Sequence, residues 1–368
     1  MARNRVIYQS EALYVSSGAG SLGAQNHKQL ERVQSANFNY TINRQDINQF
    51  GELARIDSLI LDPPTVSTDF SYYLTDGFNE RALGFYVQTG SGGAGGEHSE
   101  PGGFASGHLK AGSGKNIFIV TAPEGTDINL DGAVGAGDTV IGIGNCYLSN
   151  YSVDMAVGSI PTVSVSMEGA NVRSDTTAAA IDSPAIDQSA GTSMAGTVSL
   201  PDPSTGVSAI AALRPGDITL SLTNFDGDTV AEVNDSAGDA HVQSVSISVP
   251  LSRSPISRLG SRFPFAREVD FPVSVSMSVS AIMNETVAYN LVDKLDASPK
   301  AATVTLKNKD GDQTVIWTLS GAKVDSESIS SSIGSNKTVD ITLSTQVGGP
   351  KDITNGLYMS GANGTAAF

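Results

Sequence analysis

The stretch that decides the fold runs from residue 33 to residue 73, VQSANFNYTINRQDINQFGELARIDSLILDPPTVSTDFSYY, and it occurs twice. Residues 242 to 279 read VQSVSISVPLSRSPISRLGSRFPFAREVDFPVSVSMSV. Val33-Gln34-Ser35 returns as Val242-Gln243-Ser244, an offset of 209 (242 − 33). At that offset Phe38, Tyr40 and Ile42 return as Ile247, Val249 and Leu251. Arg44 returns as Arg253, Ile47 as Ile256, Phe50 as Leu259 and Gly51 as Gly260. After a loop that differs slightly in length, Pro64 returns as Pro272. Apolar residues fall on alternate positions in both copies, the period of a half-buried strand. The chain is therefore an internal duplication of a β-rich unit.

The repeat continues downstream. Leu148 to Val153, with Val157-Gly158, matches Val324 to Ile329, with Ile333-Gly334, at an offset of 176 (334 − 158). Val163, Val165 and Met167 match Val339, Ile341 and Leu343. The fall from 209 to 176 gives the first copy about 33 extra residues, mainly ahead of the late strands. Asn79-Glu80 and Asn284-Glu285 precede apolar residues spaced by three and four, so one helix is expected per copy, near 79–88 and near 284–295.

The expected fold class is all-β: two tandem β-sandwich modules, each with one flanking helix. Residues 1–175 form the first module, which carries a Gly-rich stretch over 89–107 and an Asp-rich turn. Its start, with Leu13-Tyr14-Val15, reads as an arm or edge strand. Residues 176–216, rich in Ala, Ser, Asp and Pro, form a linker or decoration region. The second module spans 217–348, with a hairpin expected between Ile218–Leu222 and Val230–Val233. Residues 349–368 form a C-terminal arm.

Composition narrows the function. The net charge is −16, which argues against a nucleic-acid grip built on clustered Lys and Arg. The single cysteine, Cys146, excludes an intramolecular disulfide framework. The N-terminal residues lack the pattern of a secretory signal. No apolar run approaches the roughly 18 residues of a membrane span.

Catalytic motifs are incomplete, and no enzyme is expected. Gly191-Thr192-Ser193-Met194-Ala195 copies the serine pentapeptide of subtilisin-like proteases, but no matching base segment accompanies it. Gly112-Ser113-Gly114-Lys115-Asn116 lacks the glycine spacing and the Ser or Thr of a phosphate loop, and it precedes a strand. The best chemical motif is Asp127, Asn129 and Asp131, with Gly132 and Asp138, spaced as in a calcium loop. The strand-like run after it and the ordinary Asp-Gly turn are the competing reading. No other cofactor is expected.

Two segments, Gln45–Ile56 and Ser254–Ala266, are too long for tight turns and should project. They carry Ile47, Phe50, Leu53 and Ile56 in one copy, and Ile256, Leu259, Phe263 and Phe265 in the other. Apolar clusters of this kind mark contact surfaces. Arg44 and Arg253, kept in both copies, are expected to form ion pairs between modules.

NRVIYQSEALYVS, residues 4–16, and the block from Val33 through Glu80 resemble the major tail tube proteins of long-tailed bacteriophages. The resemblance is best in the first module. It implies a β-sandwich with a flanking helix, whose subunits close into rings with one continuous inner barrel. The rings stack into the tube that carries DNA, and contact between successive rings is then the expected role of the two projecting apolar segments, the alternative being that they fold back onto their own module. A duplicated chain resembles the siphophage variant in which a homotrimer of two-module chains forms a pseudo-hexameric ring. The implied partners are further copies of itself, the tape-measure, tail-terminator and baseplate or tip proteins, and double-stranded DNA in transit. The implied place is the virion tail, assembled in the host cytoplasm. The other reading is a duplicated immunoglobulin-like surface or adhesion protein.

Overall fold

The computed structural model describes residues 11–89, 101–109, 114–123, 126–128, 134–135, 137–178, 181–188, 190–203, 218–222, 225, 228–231, 241–283, 286–294, 298–307, 313–347 and 352–361. The first module contributes β1 (Glu11–Ser16), β2 (His27–Gln29), β3 (Val33–Thr41), β4 (Arg44–Ile47), β5 (Asp57–Ile60) and β6 (Thr65–Tyr73). Then come helix α1 (Phe78–Leu83), β7 (Gln88–Thr89), β8 (Lys115–Thr121), β9 (Thr139–Ala156), β10 (Thr162–Gly169) and β11 (Asn171–Asp175). Four short strands follow: β12 (Ile181–Asp182), β13 (Ile186–Asp187), β14 (Thr192–Ser193) and β15 (Thr197–Val198). The second module supplies β16 (Ile218–Ser221), β17 (His241–Pro250), β18 (Arg253–Ile256), β19 (Ala266–Val269) and β20 (Ser274–Ile282). It ends with β21 (Lys300–Lys307), β22 (Gln313–Ser330), β23 (Thr338–Gln346) and β24 (Gly356–Gly361). The fold is mainly β, as its alternating sequence requires.

Antiparallel strands run side by side in the order β22-β23-β20-β17-β9-β10-β6-β3. Alternation sets their two faces. In β6, Val66, Thr68, Phe70 and Tyr72 are buried while Asp69 points outward. β9 and β22 are each 18 residues long and join two layers. The first half of β9 pairs with β8 and β11, and its second half with β10 and β17. β22 does likewise, with β21 and β24 and then with β23. One apolar core lies between the layers and draws on both modules, including Val153, Val165, Ile247, Met277, Ile341 and Trp317. Aromatic rings bridge the modules: Phe104 stands edge-on to Trp317 at 4.8 Å, and Tyr151 lies tilted to Trp317 at 6.2 Å.

Strand registers carry the duplication further than the sequence match does. β3 and β17 each break register at the glutamine of their Val-Gln-Ser triplet. The β9–β10 and β22–β23 pairs share a break at the 176 offset, at Ser166/Met167 and at Val324/Ser326. Gly51 and Gly260 turn with positive φ of 95° and 87°, and Gly158 and Gly334 with 82° and 90°. These are backbone angles that glycine adopts without a Cβ clash.

Several expectations need correction. The joining loops do not differ in length: β3 to β6 map onto β17 to β20 at 209 throughout, so Pro272 answers Pro63 rather than Pro64. α1 has only six residues. The second copy shows a 3₁₀ turn at Leu291–Lys294 in place of an α-helix. There the β-branched Thr286 and Val287 are drawn into pairing with Val230 and Ala231. Asn284 and Glu285 lie outside the described residues. β1 is no edge strand, since β2 and β8 flank it. β16 pairs with β21, and Val230 and Ala231 meet Thr286 and Val287; residues 232 and 233 of the expected hairpin lie outside the described residues. The Gly-rich stretch does feed the core: Phe104 is buried. Glycine is what lets it in, because a Cβ on Gly103 would stand 2.4 Å from the Leu357 carbonyl oxygen. Within the C-terminal residues, β24 docks between β22 and β7.

Candidate functional site

The site is the perimeter and the polar face of the long sheet. In the middle of the sheet the two modules meet strand to strand. β17 of the second pairs with β9 of the first, Ile247 opposite Val153 and Val249 opposite Tyr151. Leu251 N–H donates to the Ser149 carbonyl at 2.8 Å, and Val157 N–H to the Gln243 carbonyl at 2.9 Å. Arg267 pairs with Glu168 across this seam at 3.1 Å.

At the sheet's outer ends stand the counterparts of the two seam strands. Among the described residues, β3 pairs with β6 alone, and residues 323–330 of β22 pair with β23 alone. Phe38 and Tyr40 on β3 and Ile42 just past its end are 37%, 59% and 38% exposed, whereas Ile247 and Val249 on β17 and Leu251 just past its end are 0% exposed. Ile329 on β22 is exposed where Val153 on β9 is fully buried. Unpaired edges with apolar side chains call for a partner.

The two expected projecting segments are hairpins. β4 pairs with β5, and β18 with β19, each as a separate two-stranded ribbon. Phe50, Leu53 and Leu259 at the tips are wholly exposed. Ile47, Ile56, Ile256 and Phe265 are exposed, and Phe263 is half-buried.

The sheet face turned from the core is polar and small. Reading across it, Ser35, Ser71, Ser164, Ser152, Ser248, Ser276 and Ser344 stand opposite one another strand by strand, ending at Lys323. A neighbouring row holds Asn37, Asp69 and Ser166, and further rows contribute Asp154 and Asp340. Carboxylates outnumber cations on this face. Single-sequence reading missed the row, because the serines fall in line only once every register is known.

Arg253 crosses between modules, with Nη2 donating to the His108 carbonyl at 2.7 Å and its guanidinium 5.2 Å from the Tyr147 ring centroid. Arg44 is exposed on β4 opposite Ile60. Of the calcium-loop residues, Asn129 and Asp131 lie outside the described residues. Asp138 is buried and accepts from Gly135 N–H at 3.0 Å through Oδ2. Asp127 sits just before buried Ile128. Among the described residues no three His, Cys, Asp or Glu side chains gather as metal ligands. Ser193 lies on the β13–β14 ribbon, whereas His27 bonds the Gly23 carbonyl and His108 packs on Phe85. Lys115 is a buried strand residue reaching the Ser16 carbonyl, and burial pulls its pKa down to about 8.

One buried carboxylate escaped the sequence reading. Glu80 Oε1 accepts from the Tyr72 and Tyr151 hydroxyls at 2.9 and 3.1 Å. Burial pushes its pKa up to about 7, against the lowering effect of those bonds. Its place on the first turn of α1, inside an aromatic core, leaves no trace in local sequence. No helix among the described residues is long and apolar enough to cross a membrane.

No protein-family model matches the chain, and no curated protein does. Among solved structures, the chain is similar to a chain of the 6-fold symmetrised cryo-EM baseplate of the anti-feeding prophage. The match covers 33% of this chain and 80% of that one, at 17% identity and a TM-score of 0.23, a superposition too loose to carry an argument about role.

Proposed function

We propose that the chain is a structural virion protein whose copies close into rings and stack as a phage tail tube, a passage for DNA. The observation that carries this reading is the sheet itself: two modules joined edge to edge, with the same two kinds of edge left unpaired at its ends among the described residues. Edges that differ associate head to tail, and such contacts make rings when the rotation closes. Three two-module chains give the six-module ring. The polar face, with its serine row and its carboxylates, suits a wall past which phosphates slide without sticking. Tape-measure, terminator and tip proteins are the partners such a tube requires, and the virion tail is its place.

The hairpins fit the contact between successive rings. Burying one of their large side chains contributes roughly 1.5–3 kcal/mol, repeated in every copy. Electron microscopy of the purified chain tests the reading, with rings or tubes expected. Mass measurement of an isolated ring should give three copies, and six would reject the trimer. The double variant Phe50→Ser with Leu259→Ser should unfold at an unchanged temperature and fail to form tubes. Normal tubes, or loss of folding, would take the ring-to-ring contact away from the hairpins.

A further inference from the structure

We infer that the partner of the open β3 edge is residues 326–332 of a second copy, held in the register of the internal seam. The inference rests on the reading of the chain as self-assembling, and it specifies the joint that reading leaves open. The seam supplies the template. β17 and β3 are the same strand of the repeat at an offset of 209, and β9 and β22 the same strand at 176, with register breaks at matching positions. Moving both seam strands by their offsets places Phe38 opposite Ile329 and Tyr40 opposite Glu327 of the second copy. The two hydrogen bonds that end the seam become Ile42 N–H to the Asp325 carbonyl, and Ile333 N–H to the Gln34 carbonyl.

Exposure agrees on both sides of the joint. Phe38, Tyr40 and Ile42 are exposed although their seam counterparts are buried, and so is Ile329. A slip by one residue would turn those side chains onto the polar face. A slip by two would keep the faces but lose the matched ends. The occupant is a second copy, since the seam shows within one chain what this edge pairs with.

The seam also shows where a crosslink belongs. Both end hydrogen bonds link odd-numbered residues of β17 or its extension, so the even-numbered ones form the closer, non-hydrogen-bonded pairs. Ser248 opposite Ser152 is one such pair, and its image in the joint is Asn39 opposite Ser328. The test is the full-length chain carrying Asn39→Cys and Ser328→Cys, oxidised after assembly. A second chain carries Asn39→Cys and Ser330→Cys, which moves one thiol by about 7 Å along the strand and beyond disulfide reach.

The in-register pair should give a ladder of covalent multimers that collapses to one band on reduction, at least about tenfold above the slipped pair. The lone native thiol, Cys146, is buried and stays out of the reaction. Rings or tubes that form without the in-register crosslink would overturn this joint and leave the tube reading standing. Equal or stronger crosslinking of the slipped pair would overturn the register. A chain that neither assembles nor crosslinks would remove the joint and the tube reading together.

Discussion

Strands β17 and β3 carry one pattern into two environments. On β17 the apolar side chains are sealed by β9, and on β3 the larger Phe38 and Tyr40 are left 37% and 59% exposed. The difference lies in the neighbour, since both sequences alternate alike. Burial along a strand is therefore set by what pairs with it as much as by its own residues. A strand that keeps a core pattern without a core is built for a partner that folding alone does not supply.

Charge substitution breaks this comparison most sharply. Ile247→Asp puts an unpaired carboxylate into the seam and should cost about 4 kcal/mol or more of folding stability. Phe38→Asp, at the matching but 37% exposed position, should cost about 1–2 kcal/mol, well below the first effect, and abolish assembly. Urea unfolding of the dilute chain measures the first effect, and light scattering the second. Equal destabilisation by both would mean that β3 is already covered. Next is Trp317→Ala, which empties the aromatic bridge between modules. It should cost about 3–5 kcal/mol and split one unfolding transition into two, as calorimetry would show; a single sharp transition would mean that the seam alone couples the modules.

Glu80 sharpens the contrast between the module interiors. In the second module the position of Tyr151 is held by Glu327, which accepts from Val230 and Ala231 N–H at 2.7 and 2.8 Å. Burial raises the folded-state pKa of Glu80 above its unfolded value. Its contribution is therefore full below the unfolded carboxylate range and is lost as pH rises through about 7. Glu80→Gln should flatten that decline, with a gain on the order of 1 kcal/mol at alkaline pH. Denaturant midpoints across pH 4 to 9 are the measurement, and an unchanged slope would place the titration elsewhere. The smallest effect belongs to Glu168→Gln at the seam. Glu168 is half exposed, so the loss should stay under about 1 kcal/mol and shrink in salt.

The fold was legible where periodicity is long and local. Alternation in 33–42 and 242–251 revealed both copies of the same strand, β3 and β17, and the apolar hairpins announced their exposure. Three things were hidden for physical reasons. A helix signal built on Asn-Glu could not foresee that Thr286 and Val287 find strand partners. The core role of Phe104 was masked by glycines that serve close approach rather than looseness. The seam itself joins residues 244–250 to 150–156, and a pairing across that distance has no signature in either stretch.

The seam has a kinetic meaning too. Because it forms within one chain, its partners meet at an effective concentration set by their tether, independent of how dilute the protein is. In the proposed assembly only the joint between copies waits on collision. A closed ring of n such chains holds as many seams as joints between copies, and because the closing joint is also intramolecular it needs n − 1 encounters where 2n single modules would need 2n − 1. In that proposed assembly growth also has a direction. A copy blocked at β3 still adds through β22 and then refuses the next, so a minor fraction of such copies would poison closure out of proportion to its amount.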